Sequence, residues 1–226
     1  MVLLGDIHGD FQEIYYFSKR NETQEPINLI QVGDFGAGFR SSFIDDMEYL
    51  NTELAYNNVT LYAIRGNHDD PKFFNGDYNW SNIKLLPDYT VLEIEGKRIL
   101  LVGGAISIDR LQRTENVSWW KDEVFNFDSE KLSEFRDIDT VITHSAPHFV
   151  FPQTFNSLVL SFASYDSKLI QDLTDERNRF NEMYNILNEN NKIKHWFYGH
   201  FHTTRSERYE DTMFHVLGVN FFTTYE

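Results

Sequence analysis

Val2-Leu3-Leu4-Gly5-Asp6-Ile7-His8-Gly9-Asp10 is the stretch from which the rest of the chain is read. Three apolar residues suit a short buried strand. Gly, then Asp and His two positions apart, then Gly again suit a turn that presents two side chains together. A carboxylate and an imidazole at the end of a buried strand read as the edge of a metal site. A hexapeptide alone is equally compatible with a loop carrying an incidental Asp and His, so the reading depends on recurrence.

The pattern recurs. Ile27-Asn28-Leu29-Ile30-Gln31-Val32 runs into Gly33-Asp34, and Val59-Thr60-Leu61-Tyr62-Ala63-Ile64 runs into Arg65-Gly66-Asn67-His68-Asp69. Val141-Ile142 runs into Thr143-His144, and Ile193-Lys194-His195-Trp196-Phe197-Tyr198 reaches Gly199-His200-Phe201-His202. Each apolar run ends in Asp, His or Asn. In an α/β sheet the carboxyl ends of the strands are where ligands collect, so residues far apart in sequence can converge on one crevice.

Helical spacing over Phe11–Phe17, with Asp10 as a candidate N-cap, and a stripe of Phe43, Ile44, Met47, Leu50 and Leu54 alternate with the first three strands. Strand, helix, strand, helix, strand is the order of a parallel sheet, and an α/β fold follows. Residues 71–88 read as loop, Tyr89–Ile94 and Arg98–Val102 as a hairpin closed by Glu95-Gly96-Lys97, and 103–128 as a long irregular segment. A short helix is expected over Glu130–Asp137. Aromatic irregular chain is expected to about Ser164, then the longest helix over Asp166–Asn190, broken in two where Arg177, Asn178 and Arg179 interrupt its apolar stripe. Thr203–Tyr209 and Thr212–Leu217 form a second hairpin. No repeat, linker or low-complexity tract divides the chain, so one domain over residues 1–226 is expected.

Composition narrows the chemistry. The chain has no cysteine, which excludes disulfides and thiolate ligands; any metal must be held by His, Asp, Asn or Glu. A net charge of −15 disfavours long nucleic acid as a partner. Cleavage of a leader would remove Asp6 and His8, and the apolar opening is too short for a secretory core or a membrane span, so a cytoplasmic protein is expected. His148, His195 and His215 read as structural, Asp10 as a helix cap, and Asp45, Asp46, Asp139 and the acidic residues of the long helix as solvated.

Together, Gly5-Asp6-Ile7-His8-Gly9, Gly33-Asp34, Gly66-Asn67-His68-Asp69, Thr143-His144 and Gly199-His200-Phe201-His202 resemble, in order and context, the calcineurin-like metallophosphoesterases, over residues 3–218. The resemblance implies a four-layer αββα sandwich of two mixed sheets flanked by helices. It implies one metal held by Asp6, His8, Asp34 and His202 and a second held by Asn67, His144 and His200, with Asp34 bridging both. Hydrolysis of a phosphate mono- or diester by a metal-bridging hydroxide is the implied activity. Mixed imidazole and carboxylate donors suit Mn2+, with Fe, Zn or Ni as alternatives, better than Ca or Mg. His68 lies outside the implied ligand set and reads as the general acid, with Asp69 to orient its imidazole.

One departure bears on substrate. Protein phosphatases of this superfamily follow Gly-Asp with a segment ending Asp-Arg-Gly, whose arginine grips phosphate; here Phe35-Gly36-Ala37-Gly38 follows Asp34. Arg65 still resembles that branch, and Arg110 and Arg113, followed by Trp119-Trp120, are the replacement cations the sequence offers. A small-molecule phosphoester or a phosphoprotein is the expected substrate, with no membrane partner. The competing readings are a catalytically silent metal-binding scaffold of the same fold and a nuclease of the superfamily.

Overall fold

A computed structural model describes residues 1–225. The chain opens with β1 (Val2–Leu4) and continues through α1 (Phe11–Lys19), β2 (Ile27–Gln31), α2 (Phe43–Tyr56) and β3 (Val59–Ala63). Pairing is parallel, with Leu3 opposite Ile30 and Leu29 opposite Leu61. Within the stretch that reads as loop, β4 (Ile83–Leu85) adds to the edge beside β3. Its three residues are too few to show the period-two alternation by which a strand is recognised.

The expected first hairpin is β5 (Thr90–Ile94) and β6 (Lys97–Val102). Glu95 and Gly96 between them both have positive φ, 52° and 75°, the twist that a two-residue hairpin needs. Next come α3 (Ser129–Glu134), β7 (Thr140–Thr143), α4 (Ser157–Ala163), α5 (Leu169–Asn190) and β8 (His195–Tyr198). The second expected hairpin is β9 (Arg205–Tyr209) with β10 (Thr212–Val216), after which β11 (Phe222–Thr224) returns to pair antiparallel with β1. One mixed sheet has the order β11-β1-β2-β3-β4, the other β5-β6-β7-β8-β10-β9.

Alternation along the strands builds three apolar seams. Leu3, Ile30, Val32 and Ile64 of the first sheet meet Ile99, Leu101, Ile142 and Phe197 of the second. The opposite faces, Leu4, Leu29 and Leu61 on one sheet and Leu100, Val102 and Val141 on the other, pack under α1 and α2 and under α3 and α5. Helices, sheet, sheet and helices therefore stack as four layers. Strands buried on both faces are near-continuously apolar, which is why these runs are so visible in sequence. Each fully buried Leu or Ile contributes about 1.5–3 kcal/mol, enough for the seams to override weak local propensities.

α5 is one helix, not two. Arg177, which interrupts its apolar stripe, is only 4 % exposed, and its guanidinium donates to the carbonyls of Ala146, Pro147, Val150 and Pro152. It thereby pins the turn that follows β7. α4 went unforeseen because Leu158 and Leu160, two residues apart, are both exposed and mimic no helical stripe; Asn156 caps it, accepting from Val159 N at 2.9 Å. Asp10 occupies the N-cap position of α1, but its side chain makes no capping hydrogen bond. Among the described residues no helix is long and apolar enough to cross a membrane.

Candidate metal centre

Both sheets end their strands at one crevice. Asp6 and His8 follow β1, Asp34 follows β2, and Asn67, His68 and Asp69 follow β3; from the other sheet, His144 follows β7 and His200 and His202 follow β8. His8, Asp34, His200 and His202 have φ of 47°, 56°, 67° and 49°. A left-handed conformation costs an L-residue about 1–2 kcal/mol, and such strain persists where a site over-determines it. Close approach is built in as well: a Cβ at Gly66 would collide with the Asp34 carboxylate, and one at Gly33 with the His144 ring.

The side chains form two overlapping clusters. One ligand atom each from Asp6, His8, Asp34 and His202 lies within 4.8 Å of the others, and the same holds for Asp34, His144 and His200. Asp34 belongs to both. Asn67 Oδ1 completes the second, 2.9 Å from His200 Nδ1 and 3.2 Å from His144 Nε2. The structure thus brings together all seven residues expected as ligands. His148, His195 and His215 lie outside the clusters, and His195 and His215 pair with each other at 3.0 Å.

Charge and donor chemistry fit a cation. Asp6 and Asp34 are 0 % and 1 % exposed. Burial pushes the Asp6 carboxyl well above its ordinary value, and the neighbouring Asp34 adds to the rise. Burial acts the same way on Asp34, but His144, then His68 and His8, outweigh it and hold the carboxyl well below the ordinary range. His144 is disfavoured as a cation by burial, yet Asp34 and Asp6 push it up to about 10. His8 Nε2 and His202 Nε2 face each other at 3.0 Å, a placement that needs a shared proton or an electrophile between them. Imidazole nitrogens mixed with carboxylate oxygens are donors for borderline divalent ions.

The supporting contacts set which atom each ligand presents. His144 Nδ1 lies 2.9 Å from Val32 O, which turns Nε2 toward the cluster. Asn67 Nδ2 donates to Ser107 Oγ at 3.1 Å, and Ser107 donates to the buried Glu123, so Oδ1 of Asn67 faces inward. The long segment after β6 therefore braces a ligand. Sequence reading missed Ser107 and Glu123, although a Glu between two tryptophans and a Phe-rich stretch was a signal of burial. It also missed Gln31, a polar residue at the end of an apolar strand, which grips Gly5 O and Gly33 N.

Several sequence expectations change. Asp69 does not touch the His68 ring: its carboxylate accepts from Phe35, Gly36, Ala37 and Gly66 N–H groups. Burial, and then the neighbouring Asp34, pushes this carboxyl up to about 7 even against the pull of these amides; the carboxylate form is the one that accepts from all four, two donors on each oxygen. Asp69 is a clamp between two ligand-bearing loops. Asp69→Ala is expected to cost roughly 3 kcal/mol or more, since buried amides left unpaired cost about 1–3 kcal/mol each. Denaturant unfolding measures this, and unchanged stability would refute the clamp. Arg65 is 6 % exposed and spends its donors on Asp88 and the carbonyls of Asp122, Glu123 and Val124. Arg110 is clamped by Asp166 and Asp172, both at 2.6 Å. Neither faces the cleft. Glu176, on the long helix, is buried rather than solvated, and Asp139 is half-buried, accepting from Arg98 N.

Arg113 does reach the site. Its Nε pairs with Asp109 at 2.8 Å and one terminal nitrogen lies 2.7 Å from His68 Nε2. A guanidinium only donates, so the imidazole accepts and is neutral here. Burial, with Arg113 and His8 beside it, lowers the His68 pKa to about 4. His68 N donates to Asp34 at 2.7 Å, and its ring stacks on Phe39, which packs edge-on against Trp120.

Comparison with known proteins agrees with this fold. No curated protein sequence matches the chain significantly. Among solved structures, the chain is similar to TT1561 of Thermus thermophilus (12 % identity, TM-score 0.54, covering 96 % of this chain and 89 % of that one). It is also similar to the phosphopantetheinyl hydrolase of Mycobacterium tuberculosis (13 % identity, TM-score 0.51, covering 97 % and 89 %). At these identities the likeness is one of fold. A family model described as calcineurin-like phosphoesterase matches residues 1–204. With that match covering most of its length, the chain belongs to the calcineurin-like phosphoesterase family.

Proposed function

We propose that the protein hydrolyses a small-molecule phosphate mono- or diester with two divalent cations, manganese being the pair its donors suit. The observation that carries this is the position of Asp34, common to two ligand clusters that both close around it. Asp6, His8, Asp34 and His202 would hold one ion, and Asn67, His144 and His200, with Asp34, the other. When bound, the ions supply Lewis acidity that offsets phosphoryl charge and makes water nucleophilic near neutral pH. Because the ligands come from both sheets, we infer that the 226 residues work as one unit.

The remaining chemistry falls to His68 and Arg113. Before substrate arrives, Arg113 occupies His68 Nε2. Phosphate oxygens entering between them take over the guanidinium's donors, and their negative charge favours a proton on the freed nitrogen. His68 then stands to deliver that proton to the leaving oxygen. Arg113→Ala is expected to raise KM roughly tenfold, the loss of one charge-assisted contact. Unchanged kinetics on every ester tried would remove Arg113 from substrate binding.

The test of the whole reading is a phosphoester panel run with several divalent metals, read beside bound-metal analysis. Turnover that rises with metal content is expected. Absence of turnover on p-nitrophenyl phosphate, its bis ester and a nucleotide panel, with metal bound, would overturn it in favour of a silent scaffold.

A further inference from the structure

The cleft has two unlike halves. A cavity of 570 Å³ includes Asp34, Asn67, His68, Arg113, His200 and His202 at one end. At the other it is walled by Phe151, Phe155, Leu158, Val159, Phe162 and Leu173, largely from α4 and the turn before it. Where the halves meet, Ser145, next to His144, and Glu176 of α5 line the same cavity. They are 1 % and 5 % exposed; Ser145 Oγ lies within reach of the Glu176 carboxyl, but Ser145 Oγ and Glu176 Oε1 form no hydrogen bond of good geometry with each other or with any other group. Arg177, one residue on, is no partner for Glu176, since its donors go to backbone carbonyls.

Buried polar atoms are nearly always paired, and two orphans side by side in a cavity wall call for an explanation. The apolar half calls for one too: although Thr154 and Asn156 also line the cavity, a sugar or glycerol moiety would press most of its hydroxyls against phenylalanine, leucine and valine and leave them unsatisfied. We propose that this half binds the alcohol portion of the phosphoester, an apolar aliphatic or aryl group carrying a hydroxyl or amide N–H that pairs with Glu176 and Ser145. This rests on the phosphoesterase reading above. The phosphate lies among the histidines and Arg113, the apolar group lies along α4, and its polar group sits at the junction between the halves. Specificity then comes from the wall of the cleft, whereas the cleavage machinery serves any phosphoester.

Three esters separate the possibilities: 4-phenylbutyl phosphate, which is apolar; N-benzoyl-O-phosphoethanolamine, which is apolar with an amide N–H; and glycerol 2-phosphate, which is neither. The expected result is a kcat/KM for both apolar esters above that for glycerol 2-phosphate by roughly tenfold or more, with the amide ester first. Leu158 is 57 % exposed, so Leu158→Asp should fold normally while placing a charge on the apolar wall. It is expected to raise KM for both apolar esters and to collapse their advantage. Glu176→Leu is expected to abolish only the preference for the amide ester over 4-phenylbutyl phosphate. Calorimetry with N-benzoylethanolamine, which has no phosphate, should show saturable binding to the metal-free protein, weakened by Leu158→Asp. Equal turnover of all three esters, or calorimetric binding that is absent or unaffected by Leu158→Asp, would overturn the proposal. If no ester turns over, the phosphoesterase reading fails, and the calorimetric result still decides whether the apolar half binds its ligand.

Discussion

Asp34→Asn is expected to cost the site at least one of its ions. The purified variant should carry one divalent ion or none per chain where two are proposed for the parent, and turnover should fall about a thousandfold or more on every ester. Asp34 is the carboxylate common to both clusters, and it also accepts the His68 amide at 2.7 Å. Asparagine keeps the volume, but with its oxygen held where the His68 N–H and His144 Nε2 point, its Nδ2 donor replaces the anionic Oδ2 on the His8 side, where a cation would have to sit. A second effect needs no metal. The buried His144 ring keeps a proton only because Asp34 and Asp6 outweigh its burial, so loss of Asp34 should lower the ring's pKa from about 10. Metal analysis, kinetics and a histidine NMR titration check the three expectations, with circular dichroism confirming the fold. Two ions per chain and near-parental turnover would show that Asp34 bridges nothing.

His68→Ala should separate catalysis from metal binding. Loss of a general acid costs about 10²–10⁴ in kcat, and because His68 is in neither cluster, bound metal should be unchanged. The size of the loss should depend on the leaving group. An alkoxide needs the proton and should show the full loss; p-nitrophenolate leaves without help and should show much less. Equal loss on both would mean that His68 acts by positioning Arg113, 2.7 Å from its Nε2, and loss of metal in step with activity would make it a ligand.

These expectations depend on what the alternation and the strand ends already displayed. Asp6, Asp34 and His144 were legible because each signal is local: an apolar run, a tight turn, and one polar side chain just past the strand. The parallel run of β1, β2 and β3 was legible for the same reason, as were both hairpins, whose turns lie within the four residues that set them. Elements that failed to show lacked a local period. β4 and β11 have three residues each and, unlike the equally short β1, no Gly-Asp turn after them, and α4 exposes the very leucines that would have marked it.

Side-chain partners were a different matter. Arg65, Arg110 and Arg113 look alike in sequence, each a cation near a candidate ligand or in the long segment after β6. Only folding shows that Arg65 is sealed under carbonyls and that Arg110 is tied to Asp166, 56 residues away, while Arg113 meets His68 across 45 residues. Likewise Asp69 stands beside His68 in the chain yet turns away to four amides, and Glu176 sits on a solvent-facing pattern yet is buried in the cleft. The sequence by itself determined the parallel run of the first three strands and the ligand-bearing turns, because backbone periodicity and turn chemistry depend on neighbours in the chain. The tertiary structure alone decided which charges face the cleft and which brace it, because a side chain's partner depends on groups that only packing brings within hydrogen-bonding distance.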